Sequence, residues 1–263
     1  MGALQFNDAV VRFGSAVVLG GATLTVEPGE FVSVVGPTGC GKSTLLNLAA
    51  GLLMPSSGQV LSLGAPVVGV NRKAGYLFQG ESLMPWRNAR DNVAAGPHFA
   101  GAGWRSARAQ ADAWLERVGL HGAGDKYPHQ MSGGMRKRAQ LAQTLVMDPA
   151  ILLMDEPFSA LDVQTRLMME NELLSLWQAD GVARKTVLFI THDLEEAISL
   201  SDRVVVLSAG PATRPLAEFV IDLPRPRDVA EIRHTPAFQS AHARIWEVLR
   251  DEVLKTYRRS VAA

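Results

Sequence analysis

The chain has 263 residues, 47% of them hydrophobic, which is enough for a sizeable buried core in one large domain. Lysine plus arginine equals aspartate plus glutamate at 26 each, so the formal charge is zero and the composition excludes the general basic field of a non-specific nucleic-acid-binding protein. The single cysteine, Cys40, excludes an intrachain disulfide and favours a reducing compartment, by default the cytosol.

No segment of the sequence has the pattern of a secretory signal or of a membrane span. The first residues lack a basic segment followed by a long apolar core. The longest apolar runs, such as residues 150–154, have the length of strands, whereas a transmembrane helix needs about 18 apolar residues. We therefore expect any membrane role to be exerted through a partner.

The first third of the chain predicts mostly strands. The run over residues 31–35 is apolar without alternation, which is typical of a strand covered on both faces in a parallel sheet. Residues 43–50 have helical spacing and helix-forming residues. The predicted strands of this part cover residues 4–11, 17–26, 31–35, 58–63 and 73–78.

The middle of the chain predicts a mostly helical lobe over residues 79 to about 145, with helices over 89–95 and 106–118. Strands and helices then alternate, as is typical of an α/β core. The predicted strands here are 151–154, 187–190, 203–207 and 216–221, and the predicted helices are 163–178, 194–200 and 229–254, the last broken near Pro236.

A glycine-rich loop joins the strand over residues 31–35 to the helix that follows. It matches the pattern G-x-x-x-x-G-K-[ST], in which backbone N–H groups turn inward and the helix N-terminus adds its positive dipole end. Such a cradle suits a polyphosphate, whereas a plain connecting turn is the alternative. The residues predicted to bind nucleotide here are Gly36, Pro37, Thr38, Gly39, Cys40, Gly41, Lys42, Ser43 and Thr44.

Side chains of this loop predict specific contacts with phosphates. Lys42 can bridge the β- and γ-phosphates as a point charge, Ser43 can offer its hydroxyl to Mg²⁺, and Thr44 can reach a phosphate oxygen. Cys40 lies among inward-facing amides near a helix N-terminus, a setting that favours the thiolate. We therefore expect Cys40 to be alkylated readily, and bound ATP to shield it.

Two adjacent carboxylates, Asp155 and Glu156, follow the buried strand over residues 151–154. In parallel sheets, ligands bind at the carboxyl ends of the strands. Asp155 is predicted to hold the Mg²⁺ shell, and Glu156 to accept a proton from the attacking water. A solvated strand exit is the alternative, but the phosphate loop upstream favours catalysis because the two motifs need each other mechanistically.

Four further motifs follow in order: Gln79 in GYLFQ, Met131-Ser-Gly-Gly-Met135, Ser159-Ala-Leu-Asp162 and Thr191-His192-Asp193. Together with the phosphate loop and the carboxylate pair, they resemble the Q-loop, signature motif, D-loop and switch histidine of ATP-binding cassette (ABC) ATPases. The resemblance covers nearly the whole chain. It implies an α/β fold with a P-loop NTPase core, an antiparallel β-subdomain and a helical subdomain that carries the signature.

The resemblance also implies a division of the chain and a set of cofactors. Residues 1–263 would form one ABC ATPase domain that binds ATP and Mg²⁺. Residues 1–78 and about 146–225 would form the nucleotide-binding core, about 79–145 the helical subdomain, and 226–263 a C-terminal helical segment.

Several site residues rest on this resemblance. Phe13 would stack on adenine, Gln79 would ligate Mg²⁺, and His192 would hydrogen-bond the γ-phosphate. Each has a plainer alternative: a core or turn position for Phe13, a strand-end cap for Gln79, and a satisfied histidine in a turn for His192. The predicted catalytic residues are Glu156, His192, Lys42 and Gln79, and the predicted metal ligands are Ser43, Gln79 and Asp155.

The signature residues Ser132, Gly133 and Gly134 lie at a predicted helix N-terminus, an anion site on physical grounds. In the family this anion is the γ-phosphate bound by the opposite subunit. A two-fold homodimer with two ATP molecules between its subunits is therefore implied. Three residues depart from the commoner family motif, with Met131 in place of Leu, Met135 in place of Gln and Lys137 in place of Gln.

Four stretches resemble the ATPases of nitrate, sulfonate and taurine type importers: FQGESLMPWRNARDNV, MSGGMRKR, LLMDEPFSALDVQTR and LPRPRD. The resemblance implies a role in uptake of a small solute, with integral membrane permease subunits as partners and an external solute-binding protein acting indirectly. It implies a place on the cytoplasmic face of the inner membrane. A groove on the helical lobe would receive a permease helix, with Leu83, Met84 and Trp86 at its edge.

Two other functions remain as alternatives. An ABC-type ATPase of DNA repair would need long coiled-coil insertions, and one of translation would carry two cassettes, and this sequence has neither pattern. A nucleotide-binding regulator without hydrolysis is disfavoured by Glu156 and His192. We therefore expect no nucleic-acid partner.

Overall fold

The computed structural model describes residues 2–177 and 184–262, which contain ten strands and eight α-helices. The strands are β1 (Leu4–Phe13), β2 (Ala16–Val26), β3 (Phe31–Val35), β4 (Ser57–Ser62), β5 (Ala65–Pro66), β6 (Ala74–Leu77), β7 (Ile151–Asp155), β8 (Thr186–Ile190), β9 (Arg203–Leu207) and β10 (Pro215–Val220). The helices are α1 (Lys42–Ala50), α2 (Ala89–Phe99), α3 (Trp104–Arg117), α4 (Gly133–Leu145), α5 (Val163–Trp177), α6 (Leu194–Leu200), α7 (Val229–Ile232) and α8 (Pro236–Ala262).

A six-stranded sheet in the order β10-β9-β3-β8-β7-β6 forms the centre of the molecule. All of its neighbouring strands run parallel except β10, which pairs antiparallel with β9. Every residue of β3, β7 and β8 is buried, because helices cover both faces of the sheet. Their apolar runs without alternation therefore match the predicted buried strands.

A second, antiparallel sheet in the order β2-β1-β4-β5 packs beside the first. Along β1 the buried and less buried residues largely alternate, so one face of this sheet points inward. Helix α1 lies between the two sheets: Leu45 and Leu46 share one hydrophobic core with Phe6 of β1 and Val34 of β3. This core holds the loop before α1 at the carboxyl end of β3.

Helices α2, α3 and α4 pack on one another around a core of small and branched residues. Alanines at the crossing points, such as Ala107 and Ala139, let the helix axes approach closely. Asn88 caps α2 and Ser132 caps α4 through side-chain oxygens that accept backbone N–H groups. Ser132 and Gly133 at the start of α4 are exposed, so this end of the helix lies at the protein surface.

The structure differs from the sequence-based expectations mainly at element ends. Helix α2 continues through Pro97 to Phe99, whereas the sequence predicts an end at Ala95, so a single proline did not stop this packed helix. The predicted end of the helix over 163–178 lies at Gln178, outside the described residues. The break near Pro236 is confirmed, since α7 ends at Ile232 and α8 begins at Pro236.

None of the helices within residues 2–177 and 184–262 combines the length and the apolar character that crossing a bilayer requires.

Candidate active site

The loop between β3 and α1 has the backbone form of an anion cradle. Gly39 and Gly41 have positive φ angles of 75° and 103°, which favour glycine. A Cβ atom on Gly41 would also lie 2.9 Å from Cγ1 of Val18, so the loop packs closely on β2. Helix α1 has no side-chain cap at Gly41. Its first N–H groups are therefore free of a side-chain acceptor and can bind an anion.

The ammonium group of Lys42 folds back over this loop. Its Nζ donates to the carbonyl oxygens of Gly36 at 2.9 Å and Pro37 at 3.0 Å, and the side chain is only 7% exposed. These two bonds hold the positive charge over the cradle. A phosphate group is a stronger acceptor than a carbonyl because it is ionised, and it can compete for the same N–H groups.

Oxygen atoms from α1 and β7 meet beside the loop. Ser43 Oγ donates to Asp155 Oδ1 at 3.1 Å, and Tyr76 OH donates to Asp155 Oδ2 at 3.3 Å. Burial raises the pKa of Asp155, although the hydrogen bonds from Ser43 and Tyr76 oppose that rise. Tyr76 was missed by the sequence interpretation, because β6 adjoins β7 only in the sheet and no local pattern marks the residue.

Two of the predicted site residues, His192 and Gln79, contact the carboxylate of a third, Glu156. His192 Nδ1 lies 2.9 Å from Glu156 Oε2, and Gln79 Nε2 donates to the same oxygen at 3.4 Å. The three residues follow β7, β8 and β6, which are neighbours in the parallel sheet, so their carboxyl ends meet at one edge. Glu156 has a positive φ of 43°, an unusual conformation for a residue other than glycine and one found often at functional sites.

One open cavity of about 680 Å³ joins these parts. Val18, which the sequence interpretation missed, lies on its wall, whereas Phe13 is not among the lining residues and is exposed at the end of β1. The stacking role of Phe13 stays a prediction. The lining residues are Val18, Thr38, Gly39, Gly41, Lys42, Ser43, Thr44, Gln79, Glu156 and His192.

Ser132, Gly134 and Met135 of the signature line a different cavity, of about 330 Å³, whereas Gly133 is not among its lining residues. Ser132 Oγ accepts the N–H of Met135 at 3.2 Å, so its side chain caps α4 as the sequence predicts. Lys126 and Arg138 are also among the lining residues and add positive charge to the cavity. The cavity therefore has the features of an anion site, but it is lined by none of the residues that line the cavity at the phosphate loop.

The expectation of a reactive thiolate at Cys40 is wrong. The side chain is only 2% exposed and belongs to the hydrophobic core beneath the loop. Burial raises the pKa of the thiol, although the charge of Lys42 opposes this rise. The sequence placed the residue near amides and a helix N-terminus, but only the fold determines that its side chain points into the core.

A third cavity, of about 790 Å³, lies between the edge strand β6 and α4. Its lining includes Tyr76 and Phe78 on one side and Thr144 and Met147 on the other. Trp86 is 72% exposed but does not line this cavity, so its role at a docking groove stays a prediction. Leu83 was expected at the edge of the same groove, but it is buried in the core of the helical lobe and cannot present its side chain to a partner.

Comparisons with known proteins agree on one family. The model of the ABC transporter family matches residues 19–159. An uncharacterised ABC transporter ATP-binding protein of Methanocaldococcus jannaschii is 46% identical over 97% of this chain and 90% of its own length. The taurine import ATP-binding protein TauB of Escherichia coli is 45% identical over 79% of this chain and 80% of its own length. The nitrate import ATP-binding protein NrtC of Synechococcus elongatus is 42% identical over 86% of this chain and 34% of its own length.

A solved structure supports the same assignment. The dimeric post-hydrolysis state of an ATP-binding cassette bound to ADP and Pi has a TM-score of 0.72 and 28% identity, covering 84% of this chain and 100% of that one. The family match extends from β2 through the phosphate loop, the signature and the two carboxylates. The chain therefore belongs to the ABC transporter family, has the fold of its ATP-binding cassettes and is an ATPase.

Proposed function

We propose that this chain is the ATP-hydrolysing subunit of an importer for a small solute of the nitrate, sulfonate or taurine type. The observation that carries the proposal is the convergence of Lys42, Gln79, Glu156 and His192 on one cavity at the carboxyl edge of a parallel sheet. The names of the taurine and nitrate import relatives support the choice of importer over other ABC ATPases.

The phosphate loop would bind the polyphosphate of ATP. Its inward N–H groups and the free first turn of α1 suit the β-phosphate, and Thr44 lies within the same lining. Lys42 would exchange its bonds to the carbonyls of Gly36 and Pro37 for bonds to the β- and γ-phosphates. The ammonium would then neutralise charge that develops as the γ-phosphoryl group leaves.

The oxygen atoms beside the loop suit a magnesium ion. Ser43 and Asp155 present hard oxygen donors 3.1 Å apart, and the amide oxygen of Gln79 completes the set that we assign to the metal. Ser43, Asp155 and Gln79 would hold the ion, which would supply positive charge to offset that of the phosphates. Tyr76 would position Asp155 by donating to its second oxygen.

Glu156 would act as the general base in hydrolysis. Its carboxylate lines the cavity, where it could accept a proton from the attacking water. When both ring nitrogens of His192 carry a proton, Nδ1 would donate to that carboxylate, which lies 2.9 Å away, and Nε2 would donate to the γ-phosphate. Gln79 donates to the same carboxylate and would help to order the water.

The signature cavity supports a two-fold dimer. Because Ser132 and Gly134 line a cavity that shares no residue with the phosphate-loop cavity, one chain offers two half-sites for one nucleotide. A second copy related by a two-fold axis would bring each signature to the other's phosphate loop, as in isologous dimers. The dimeric state of the related cassette supports this arrangement.

The groove between β6 and α4 would receive a cytoplasmic helix of the permease. Its walls mix apolar and polar side chains, as helix-in-groove sites do, and the exposed Trp86 follows shortly after Ser82 of the lining. Docking there would hold the chain on the cytoplasmic face of the inner membrane, with an external binding protein selecting the solute.

Substitution of Trp86 tests this proposal. Trp86→Ala is expected to keep the ATPase activity of the isolated subunit but to lose most uptake, because truncating an aromatic residue that contacts a partner can cost roughly 2 kcal/mol at an interface. Uptake of labelled taurine, an alkanesulfonate and nitrate is measured in vesicles that contain the wild-type subunit or a variant with its permease and binding protein.

Trp246→Ala is the matched control, because Trp246 is also exposed but lies on α8, outside the helical lobe. It is expected to leave uptake unchanged. Equal uptake by the wild-type, Trp86→Ala and Trp246→Ala proteins would contradict the docking groove. ATPase activity without uptake of any of the three solutes by the wild-type assembly would contradict the importer assignment.

A further inference from the structure

One face of α4 is bonded along its length to the linking segment, residues 78–82, which joins β6 to the helical lobe. The side chains involved recur at helical spacing, so they share one side of α4. Arg136 Nε lies 2.5 Å from Glu81 Oε1, Lys137 Nζ donates to Gln79 O at 2.8 Å, Gln140 Nε2 donates to Gly80 O at 3.3 Å, and Gln143 Oε1 accepts from Ser82 Oγ at 3.4 Å.

Lys137 differs from the two glutamines because it carries a charge, and from Arg136 because that charge is buried and, among the described residues, has no acidic partner. The residue is 7% exposed, and within residues 2–177 and 184–262 its ammonium forms no ion pair. Its two acceptors are the main-chain oxygens of Gln79 at 2.8 Å and Phe78 at 3.4 Å. Burying an ammonium is costly unless its N–H groups are bonded, so the side chain and these carbonyls hold each other in place.

The carbonyl that Lys137 holds belongs to the residue whose side chain reaches Glu156. The bond from Gln79 Nε2 to Glu156 Oε2 is 3.4 Å, near the long limit, so a small displacement of the Gln79 backbone would break it. The N-terminal cap of α4 is Ser132, which lines the signature cavity. Helix α4 is therefore connected both to the signature cavity and, through Lys137, to the backbone of Gln79.

We propose that Lys137 is a positioning residue for ATP hydrolysis: it ties the signature helix to the backbone of Gln79 and thereby sets the position of the Gln79 amide at Glu156. This inference rests on the proposed roles of Gln79 and Glu156. The ammonium contacts two carbonyls at once, so it fixes the end of β6 against α4 more tightly than a single neutral donor would.

Replacement of the ammonium by an apolar group of similar length is the first test. Lys137→Met is expected to lower kcat for MgATP by roughly 10–100-fold, the scale of a small misplacement near the reacting groups, with KM changed less than about twofold. Lys185→Met is the control, because Lys185 also donates to a main-chain oxygen, that of Pro149. It directly precedes β8, so it lies at the amino ends of the parallel strands and not at the carboxyl ends where Gln79 and Glu156 lie.

The conservative variant separates positioning from a general loss of packing. Lys137→Gln retains an amide donor that can reach one of the two carbonyls, so it is expected to recover part of the lost kcat. Equal kcat for Lys137→Met and Lys185→Met, or equal loss in Lys137→Met and Lys137→Gln, would overturn the inference. If Lys137→Met does not fold, Lys137→Ala takes its place in every comparison.

A double-mutant cycle with Gln79→Ala identifies the path of the effect. If Lys137 acts through Gln79, then Lys137→Met is expected to lower kcat no further in the Gln79→Ala background. Independent, multiplicative losses would overturn the inference alone, and the role of Gln79 would stand. Wild-type kcat in Gln79→Ala would overturn the proposed role of Gln79, and with it the inference.

Discussion

The phosphate-loop cavity and the signature cavity are built in different ways. The first collects residues that are distant in the sequence, from Lys42 to His192, at the ends of neighbouring parallel strands. The second is built mainly by the helical lobe, from the start of α4 and the loop before it. In the proposed mechanism, the nucleotide-binding core would supply charge and proton transfer, whereas the helical lobe would supply an anion contact on an element outside the central sheet.

The two helix N-termini show the same difference at the level of hydrogen bonds. Helix α1 follows Gly41 and has no side-chain cap, so no capping side chain competes with a ligand for its first N–H groups. Helix α4 is capped by Ser132, whose hydroxyl already accepts one N–H. We infer that the phosphate loop supplies most of the nucleotide affinity and that the signature contributes after the nucleotide is bound.

Removing the charge of the phosphate loop is expected to have the largest effect. Lys42→Ala should abolish measurable turnover and weaken ATP binding by roughly 10²-fold, since it removes two charge-assisted bonds worth about 1.5 kcal/mol each. Calorimetric titration with ATP and a phosphate-release assay measure the two effects. Turnover at the wild-type rate would remove the phosphate loop from the proposed mechanism.

Replacing the proposed base is expected to separate binding from hydrolysis within the same cavity. Glu156→Gln keeps the shape of the side chain but does not accept the proton of the water, so turnover should fall by roughly 10²–10⁴-fold while ATP binding persists. Unconsumed ATP should then hold two subunits together, and size-exclusion chromatography should show a dimer with MgATP but not with ADP. Near-normal hydrolysis would exclude Glu156 as the base.

A charge at the signature tests whether the second cavity completes the first. Ser132→Asp keeps a capping oxygen for α4 but places a carboxylate where a phosphate is proposed to bind, so turnover should fall by roughly 10–100-fold through like-charge repulsion. ATP affinity of the monomer should change little. Ser132→Asn, a neutral side chain that also caps, is the matched control and should retain most of the activity.

Mixing Ser132→Asp with Lys42→Ala tests directly whether each nucleotide site is shared between two subunits. In a two-fold dimer, a mixed pair has one site with both defects and one intact site, so about a quarter of wild-type turnover should return in an equimolar mixture if the sites act independently. Phosphate release before and after mixing is the measurement. Turnover that stays at the level of the separate variants would contradict shared sites.

The smallest effect is expected at Cys40. Because burial raises the pKa of this thiol and the core covers it, iodoacetamide should modify the folded protein slowly, and MgATP should hardly change the rate. Mass spectrometry over time, with the unfolded protein as control, measures the reaction. Fast modification that ATP suppresses would show that the thiol faces the nucleotide after all.

The sequence predicted the parts of the site whose chemistry is local. The loop from Gly36 to Ser43 is contiguous, and its glycines, lysine and serine carry their constraints within eight residues. Asp155 and Glu156 directly follow a buried strand, a position that predicts a ligand edge. The sequence did not identify Tyr76, Val18 or Lys137, because each acts through a neighbour that is distant along the chain.

By itself, the sequence determined the family, the phosphate-loop motif and the order of most strands and helices, since glycine placement, apolar runs and capping residues act over short distances. It did not predict the short strand β5. The tertiary structure alone decided the direction of each side chain: Cys40 into the core, Leu83 into the helical lobe, and the Lys137 ammonium onto the carbonyl of Gln79. These outcomes depend on which surfaces pack together, because burial determines both the pKa of a group and the partners that it can reach.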